Sequence, residues 1–278
     1  MTRVVDVPAA AHEENFMKAR RSNWQLWLGV VLCPLAFASY PLVFARWPFT
    51  RDVPWVNLLL FGVAVVLLCR GVVRAFASGR LRALRATVAV MAASLSFAIL
   101  AGFVYTVFVL ARDLPLSANA PKVGERVPDF VLPDEAGRTV GLADLIHDGA
   151  LGVNGRGVKG VLLVFSMYAG CRACNSEYRG IQEHLEELRN AGVRPVVISV
   201  DTPEVSRRLS EEAGYAFTFL SDPALEVIRR YDVAHGDMAR PAEFLVDRDG
   251  IVRWRNLTGS VFVRARPAQI LQAAAALP

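Results

Sequence analysis

The chain has 278 residues, 54% of them hydrophobic, and a mean hydropathy of +0.34. That is too apolar for an ordinary water-soluble enzyme and too polar for a protein made only of membrane spans. Charge is divided the same way. Residues 1–119 carry 12 Lys/Arg against 5 Asp/Glu and the remainder 19 against 21, so the net +5 belongs to the apolar half and is no sign of nucleic-acid binding.

Three apolar runs come first: Trp24 to Phe44, roughly Val53 to Val73, and roughly Ala86 to Ala111. Each is about 20 residues or longer, and at ~1.5 Å per helical residue each can cross a hydrocarbon core of ~30 Å. A buried amphipathic helix would show polar residues every third or fourth position, and these runs do not. Lys18, Arg20 and Arg21 precede the first run, and Arg70, Arg74, Arg80, Arg82 and Arg85 crowd the loop between the second and third. The opposite side has only Arg46 and Arg51, then Arg112 and Lys122. Because basic loops stay in the cytoplasm, residues 1–23 are predicted to be cytoplasmic and residues 24–111 a three-helix anchor in the cell inner membrane. The C-terminal domain then faces the periplasm or its equivalent. Ala36-Phe37-Ala38 resembles a signal-peptidase site, but the apolar run continues to Phe44, so the mature protein is expected to keep its first span. Leu32 is too bulky for a lipoprotein signal at Cys33, and Cys33 and Cys69 read as small apolar side chains.

Residues 112–121, with Pro115 and Pro121, read as a connector without structure of its own. Residues 122–278 are enough for one soluble core. Gly124 to Pro133 and Arg138 to Leu142 flank the turn Asp134-Glu135-Ala136-Gly137 and predict a hairpin. Val161 to Phe165 and Val196 to Val200 are continuous apolar runs, as strands buried on both faces require. Ser176 to Arg189 is helical, with Ile181, Leu185 and Leu188 on one face. Pro203 opens a helix to Ala213, and Pro223 another to Tyr231 with Asp222 as N-cap. Phe244 to Val246 and Ile251 to Trp254 flank Asp247-Arg248-Asp249-Gly250, a second hairpin. Gln269 to Ala276 closes the chain as a helix. The fold class is therefore α/β: a central mixed sheet flanked by helices, preceded by three transmembrane helices. The Gly-rich stretch Gly149 to Gly160 carries no functional reading.

Cys171-Arg172-Ala173-Cys174 lies between the strand ending at Phe165 and the helix that follows. Two thiols three residues apart at a helix start can close a disulfide. The first sits where unpaired N–H groups and the helix dipole stabilise a thiolate, the form that attacks disulfides and peroxides. A static structural disulfide is the plainer alternative. Zinc would need four ligands; the domain has no other Cys, and His147, His184 and His235 are scattered, so no metal and no organic cofactor is expected.

From Val123 to about Trp254 the chain resembles the redoxin families, the alkyl hydroperoxide reductase/thiol-specific antioxidant group and related thioredoxin-like proteins. The resemblance rests on Val123 to Phe130, Val161 to Glu177, Ser199 to Pro203, Leu220 to Pro223 and Pro241 to Asp247, and it implies a thioredoxin-like fold. Peroxiredoxins carry Pro-x-x-x-Thr-x-x-Cys with an acidic residue three beyond the cysteine. Aligned on Cys174, Glu177 fits the acidic place, but Cys171 stands at the Thr and Met167 at the Pro, and the family's peroxide-polarising Arg falls near Arg240 or on Pro241. The thioredoxin-like branch carries Cys-x-x-Cys and a cis-proline across the site, which Pro241 fits; Gly170 and Ala173 depart from that branch's Trp and Pro. Arg172, between the thiols, would favour a thiolate. His235 reads as an ordinary loop histidine.

The resemblance implies disulfide exchange: Cys171, expected to be the exposed low-pKa thiol, attacks, and the more buried Cys174 resolves. The expected partners are protein dithiols or disulfides and an upstream membrane reductant, besides the lipid bilayer. Two alternatives stay open. One is a thiol peroxidase with Cys174 as the peroxidatic residue and peroxide as substrate; the other is a non-enzymatic membrane redox sensor.

Overall fold

A computed structural model describes residues 23–51, 53–76, 82–112, 114, 117–147 and 157–278. Most of the cytoplasmic segment expected for residues 1–23, the loop that holds Arg80, and most of the Gly149 to Gly160 stretch lie outside the described residues. The chain divides into two compact units: the part through Phe44 with Val53–Phe108, and Ala45–Asp52 with Val109–Pro278.

The first unit holds α1 (Trp24–Leu42), α2 (Trp55–Phe76) and α3 (Arg82–Phe108). All three are long and apolar enough to cross a membrane. Their outward faces carry large apolar side chains such as Leu28, Val31, Leu35, Leu59, Val63 and Met91. Phe37, Tyr40 and Phe61 meet Phe103 across the helices, and glycines bring α1 and α2 close together. A Cβ on Gly29 would stand 2.8 Å from Leu68 Cγ, and one on Gly71 2.7 Å from Leu26 Cβ, so both glycines let neighbouring backbones approach. Buried Asn57 donates to Ala36 O at 2.6 Å and to Ser39 Oγ at 3.0 Å, which satisfies its amide nitrogen across the α1–α2 contact.

The second unit is built on a five-stranded sheet in the order β5-β4-β3-β8-β9. Its strands are β3 (Gly160–Phe165), β4 (Val193–Ser199), β5 (Thr218–Ser221), β8 (Ala242–Asp247) and β9 (Val252–Leu257). β3 pairs in parallel with β4 and antiparallel with β8. Two small hairpins lie outside the sheet: β1 (Val131–Pro133) with β2 (Thr139–Gly141), and β6 (Ala234–His235) with β7 (Met238–Ala239). The second of these turns at Gly236, with φ of 61°.

β3 is buried along its whole length and alternates between two cores. Val161, Leu163 and Phe165 join α4 (Leu142–His147) on one face. Leu162 and Val164 join α5 (Arg172–Glu183), α6 (Leu185–Asn190) and α9 (Pro267–Ala275) on the other. That is why its sequence is apolar without alternation. The helix expected from Ser176 to Arg189 starts four residues earlier and breaks at His184, whose ring meets Glu187 Oε1 at 2.8 Å. α7 spans Pro203–Ala213 and ends at Gly214 in the left-handed region. The helix expected from Pro223 is only the five residues of α8 (Glu226–Arg230), and Leu225 rather than Asp222 takes the cap position. Asp222 nevertheless accepts hydrogen bonds from Glu226 N and Ile228 N, at 2.9 and 2.8 Å.

Gly160 tests this packing. A Cβ there would stand 2.5 Å from Val246 O, so β3 and β8 would have to separate at their shared end. Gly160→Ala should cost roughly 1–3 kcal/mol. The midpoint of thermal unfolding should then fall by several degrees at about 2–4 °C per kcal/mol for a domain of this size.

Candidate active site

The site is built where β3 leaves the sheet. Ser166 N–H still donates to Ile198 O, and the chain then turns into α5. Cys171 is the N-cap residue, with extended φ and ψ of −71° and 111°, and its Sγ accepts from Cys174 N–H at 3.2 Å. The first sulfur therefore sits on the unpaired N–H groups of a helix start, where the dipole favours a thiolate. Cys171 and Cys174 are joined in a disulfide with their Cα atoms 5.3 Å apart. Asn175 Nδ2 donates to Ala169 O and Cys171 O, at 2.7 and 3.0 Å, and locks the turn. Tyr178 OH donates to Ser166 Oγ, and burial pushes its phenol well above the ordinary range. Cys174 is buried, at 0% exposed, and Cys171, expected to be the exposed member of the pair, is itself only 8% exposed.

A buried guanidinium faces the sulfurs. Arg264, from the segment between β9 and α9, places Nη2 at 3.2 Å from Cys174 Sγ and 3.8 Å from Cys171 Sγ. Its Nη1 donates to Val261 O and Val263 O, both at 2.9 Å, and its Nε lies 3.0 Å from Glu177 Oε2. The Nε contact is a charge contact, because neither atom makes an aligned hydrogen bond. Burial pulls the Arg264 pKa down while Glu177 and Glu243 hold it up, and a guanidinium stays charged at neutral pH. Burial drives the Glu177 carboxyl well above the carboxylate range, helped by the charge and hydrogen bond of Glu243 and opposed by Arg264 and Arg51. A cavity of about 440 Å³ is lined by both Glu177 and Arg264.

The structure brings Cys171, Cys174 and Glu177 together and distributes the other expected residues around them. Pro241 directly precedes β8, whose Ala242 pairs with Phe165 at the end of β3, so it stands at the same end of the sheet as the cysteine turn. The cis bond expected there is not found: no peptide is cis among the described residues. Arg240 donates to Ser117 Oγ at 3.0 Å and to Thr258 O, which ties it to the connector and the end of β9. The guanidinium against the sulfurs comes from 24 residues further along the chain, in Arg264. Arg172 is exposed on the first turn of α5, and His235 is exposed on β6. Tyr168, 42% exposed, accepts Cys171 N–H on its carbonyl and forms part of the rim.

Sequence reasoning missed Arg264 and Glu243. Glu243 did carry a signal: it is a charged residue inside the otherwise apolar run Ala242 to Val246, where every position is buried. Arg264 carried none, since Val261 to Arg266 has no period that would aim one side chain inward.

A dithiol at the start of the helix after the central strand, backed by a buried cation on a mixed sheet, defines a thiol-dependent redox enzyme of thioredoxin-like fold. The AhpC/TSA family model matches residues 123–255, and the chain belongs to that family. Alkyl hydroperoxide reductase E of Mycobacterium tuberculosis is 32% identical over 139 residues, which covers 49% of this chain and 84% of that protein. Peroxiredoxin Bcp of Escherichia coli is 31% identical over 140 residues, with 48% and 83% covered. The crystal structure of peroxidoxin BcpB from Mycobacterium tuberculosis matches with a TM-score of 0.49 and 22% identity, covering 57% of this chain and 99% of that one.

If Arg264 stabilises the Cys174 thiolate, Arg264→Met should raise the apparent pKa of that thiol by about one to three units, the usual effect of removing an adjacent opposite charge. Alkylation of the reduced protein as a function of pH, read at Cys174 by mass spectrometry, measures this. An unchanged titration would show that the guanidinium is only structural.

Proposed function

We propose that this protein is a membrane-anchored thiol–disulfide oxidoreductase working outside the cytoplasm through Cys171 and Cys174. The observation that carries this reading is the asymmetry of the pair. Cys171 Sγ lies on the helix N-terminus and its residue is 8% exposed, while Cys174 is 0% exposed and rests against Arg264. The Cys171 thiolate attacks a partner disulfide; a Cys171–partner bond forms and the partner's second sulfur leaves as a thiolate. Cys174, held as a thiolate by Arg264, then attacks Cys171 Sγ, closes the disulfide and releases the reduced partner. Reduction of Cys171–Cys174 by a membrane or extracytoplasmic dithiol returns the protein to its starting state. Residues 1–23 remain in the cytoplasm in this reading, residues 24–111 anchor the chain, residues 112–121 link, and residues 122–278 form the redoxin domain in the periplasm. The Arg imbalance across the spans supports that orientation.

A second reading is favoured by Arg264 and Glu177 at Cys174, and by relatives whose names are peroxiredoxin and alkyl hydroperoxide reductase. Here the Cys174 thiolate attacks a peroxide, the O–O bond breaks, an alcohol or water leaves, and Cys174 becomes a sulfenic acid. Cys171 then attacks that sulfur and water departs as the disulfide closes.

Three measurements decide. Reduction of insulin-type disulfides should vanish in Cys171→Ser, and Cys174→Ser should hold a partner as a mixed disulfide that mass spectrometry can name. Rapid peroxide consumption that survives Cys171→Ser and dies in Cys174→Ser would instead establish the peroxidase. For orientation, alkaline phosphatase fused after Val131 should be active, and fused within Gly79 to Arg85 inactive; the reverse pattern would remove the periplasmic reading.

A further inference from the structure

The segment that carries Arg264 has no regular structure to hold it. Residues 258–265, between β9 and α9, belong to no strand or helix. Yet Thr258, Ser260 and Arg264 are buried, and a buried irregular segment needs partners for its polar groups. Some of these are local: Ser260 N–H donates to Thr258 Oγ1 at 3.1 Å, and Phe262 N–H to Ser260 Oγ at 3.2 Å. Others come from elsewhere in the chain. Val261 N–H donates to Ala111 O at 2.9 Å, and Arg240 Nη2 donates to Thr258 O.

Both of these ties involve the connector or the residue just before it. Residues from Val109 onward belong to the same compact unit as the sheet. Arg240 is rooted in that unit by its backbone N–H, which donates to Val233 O at 2.8 Å. Its buried guanidinium then grips two segments at once, Ser117 Oγ through Nη1 at 3.0 Å and Thr258 O through Nη2. The connector is held further by Asn119 N–H on Asp232 Oδ2 at 2.8 Å, and by Arg255 Nη1 on Ala120 O and Pro121 O at 3.0 and 2.8 Å. Val261 is where this clamp meets the site. Its N–H is fixed by Ala111, and its carbonyl takes Arg264 Nη1 at 2.9 Å, while Nη2 of the same guanidinium stands 3.2 Å from Cys174 Sγ. A guanidinium is a rigid planar fork, so the place of Val261 O sets how near Nη2 comes to the sulfur. Such a contact weakens steeply as it lengthens or loses its alignment.

We propose that Arg240 is a positioning residue for Arg264: by clamping Ser117 of the connector to Thr258 at the end of β9, it holds the turn through Val261 in the place from which Arg264 stabilises the Cys174 thiolate. The inference rests on the reading of Cys174 as a thiol that Arg264 keeps ionised. Arg240 acts on the sulfur through Arg264, and its own two arms lie on Ser117 and Thr258. Residues 111–117 then support the active site as well as joining the domain to the anchor.

The test is a double-mutant cycle on one thiol. The full chain, carrying Cys33→Ala, Cys69→Ala and Cys171→Ser so that Cys174 is its single thiol, is titrated in detergent micelles by the ultraviolet absorbance of the thiolate. The charged groups around Arg264, namely Glu177 on α5, Glu243 on β8 and Arg51 on the cavity wall, are the same in every variant. Arg240→Met should raise the apparent pKa of Cys174, so that below that pKa the thiolate fraction falls about twofold or more, the low end of coupling between neighbours in one network. In a chain that already carries Arg264→Met, Arg240→Met should change the titration no further. If Arg240→Met does not fold, Ser117→Ala removes the acceptor of one arm and gives the same comparison. A titration that Arg264→Met moves and Arg240→Met does not would overturn this inference and leave disulfide exchange standing. An equal shift with Arg264 already replaced would overturn it too, because Arg240 would then act without Arg264. A titration that neither variant moves would overturn this inference together with the thiolate role of Arg264 in the proposed exchange.

Discussion

A guanidinium without access to water needs a counter-charge and acceptors close by, because leaving a buried charge unpaired costs about 3–5 kcal/mol. Arg264 meets this demand from several elements at once. The carbonyls of Val261 and Val263 take one terminal nitrogen, Glu177 on α5 stands at Nε, and the two sulfurs stand at the other terminal nitrogen. Glu243 on β8 closes the group from the sheet. The turn after β9, the first turns of α5 and the start of β8 are thereby tied to a single cation. The position of the sulfurs is therefore set by packing and charge together, and not by the helix start alone.

The sheet supplies what the cation cannot. β3 is the middle strand, bonded on both sides and buried on both faces, so the point where it ends is as fixed as any in the molecule. Phe165 pairs with Ile198 on one side and Ala242 on the other. Ser166 then keeps one more ladder bond before the chain turns, and Tyr178 reaches back to its hydroxyl from α5. The cysteines thus ride on a helix held at its second turn to the strand that delivers it. Tyr215, Phe217 and Phe219, of which the last belongs to β5, pack edge-on against Tyr178 in the core that this helix shares with the sheet.

Much of this was legible in the residues. The unbroken apolar runs placed β3 and β4, Asp247 to Gly250 placed the β8–β9 turn, and Cys171 to Cys174 fell on the helix start because a strand and a helix had to meet there. The rest depended on contacts distant in sequence. Glu177 reads as a first-turn acid facing solvent until Arg264 arrives to bury it. The family's cation falls by alignment on Pro241, one residue past Arg240, and Ser117 and the end of β9 hold the Arg240 guanidinium. Asp222 looked like a cap directly before its helix; it works from four and six residues away because Leu225 adopts a φ of 60° and delays the helix. Each miss concerns a polar side chain whose partner lies across the fold, which local pattern does not encode.

Exchange and peroxide chemistry end in the same oxidised state here, which is why fold and family alone do not separate them. A sulfenic acid on Cys174 and a mixed disulfide on Cys171 are both resolved by the other member of the pair. The two sulfurs are already within bonding distance across one helical turn, so neither route requires α5 to unwind. What differs is the approach of the first reactant. A peroxide is small enough to reach an enclosed sulfur, whereas a protein disulfide has to be met by a sulfur at the surface. Cys174 carries the cation and the acid but no exposed surface, and Cys171 carries the helix N-terminus and what exposure there is. On the exchange reading, Cys171 at the place of a peroxidase's Thr puts the attacking sulfur one turn nearer the helix start. On the exchange reading the polar equipment at Cys174 then serves the second step, where a thiolate must form in a place that water does not enter.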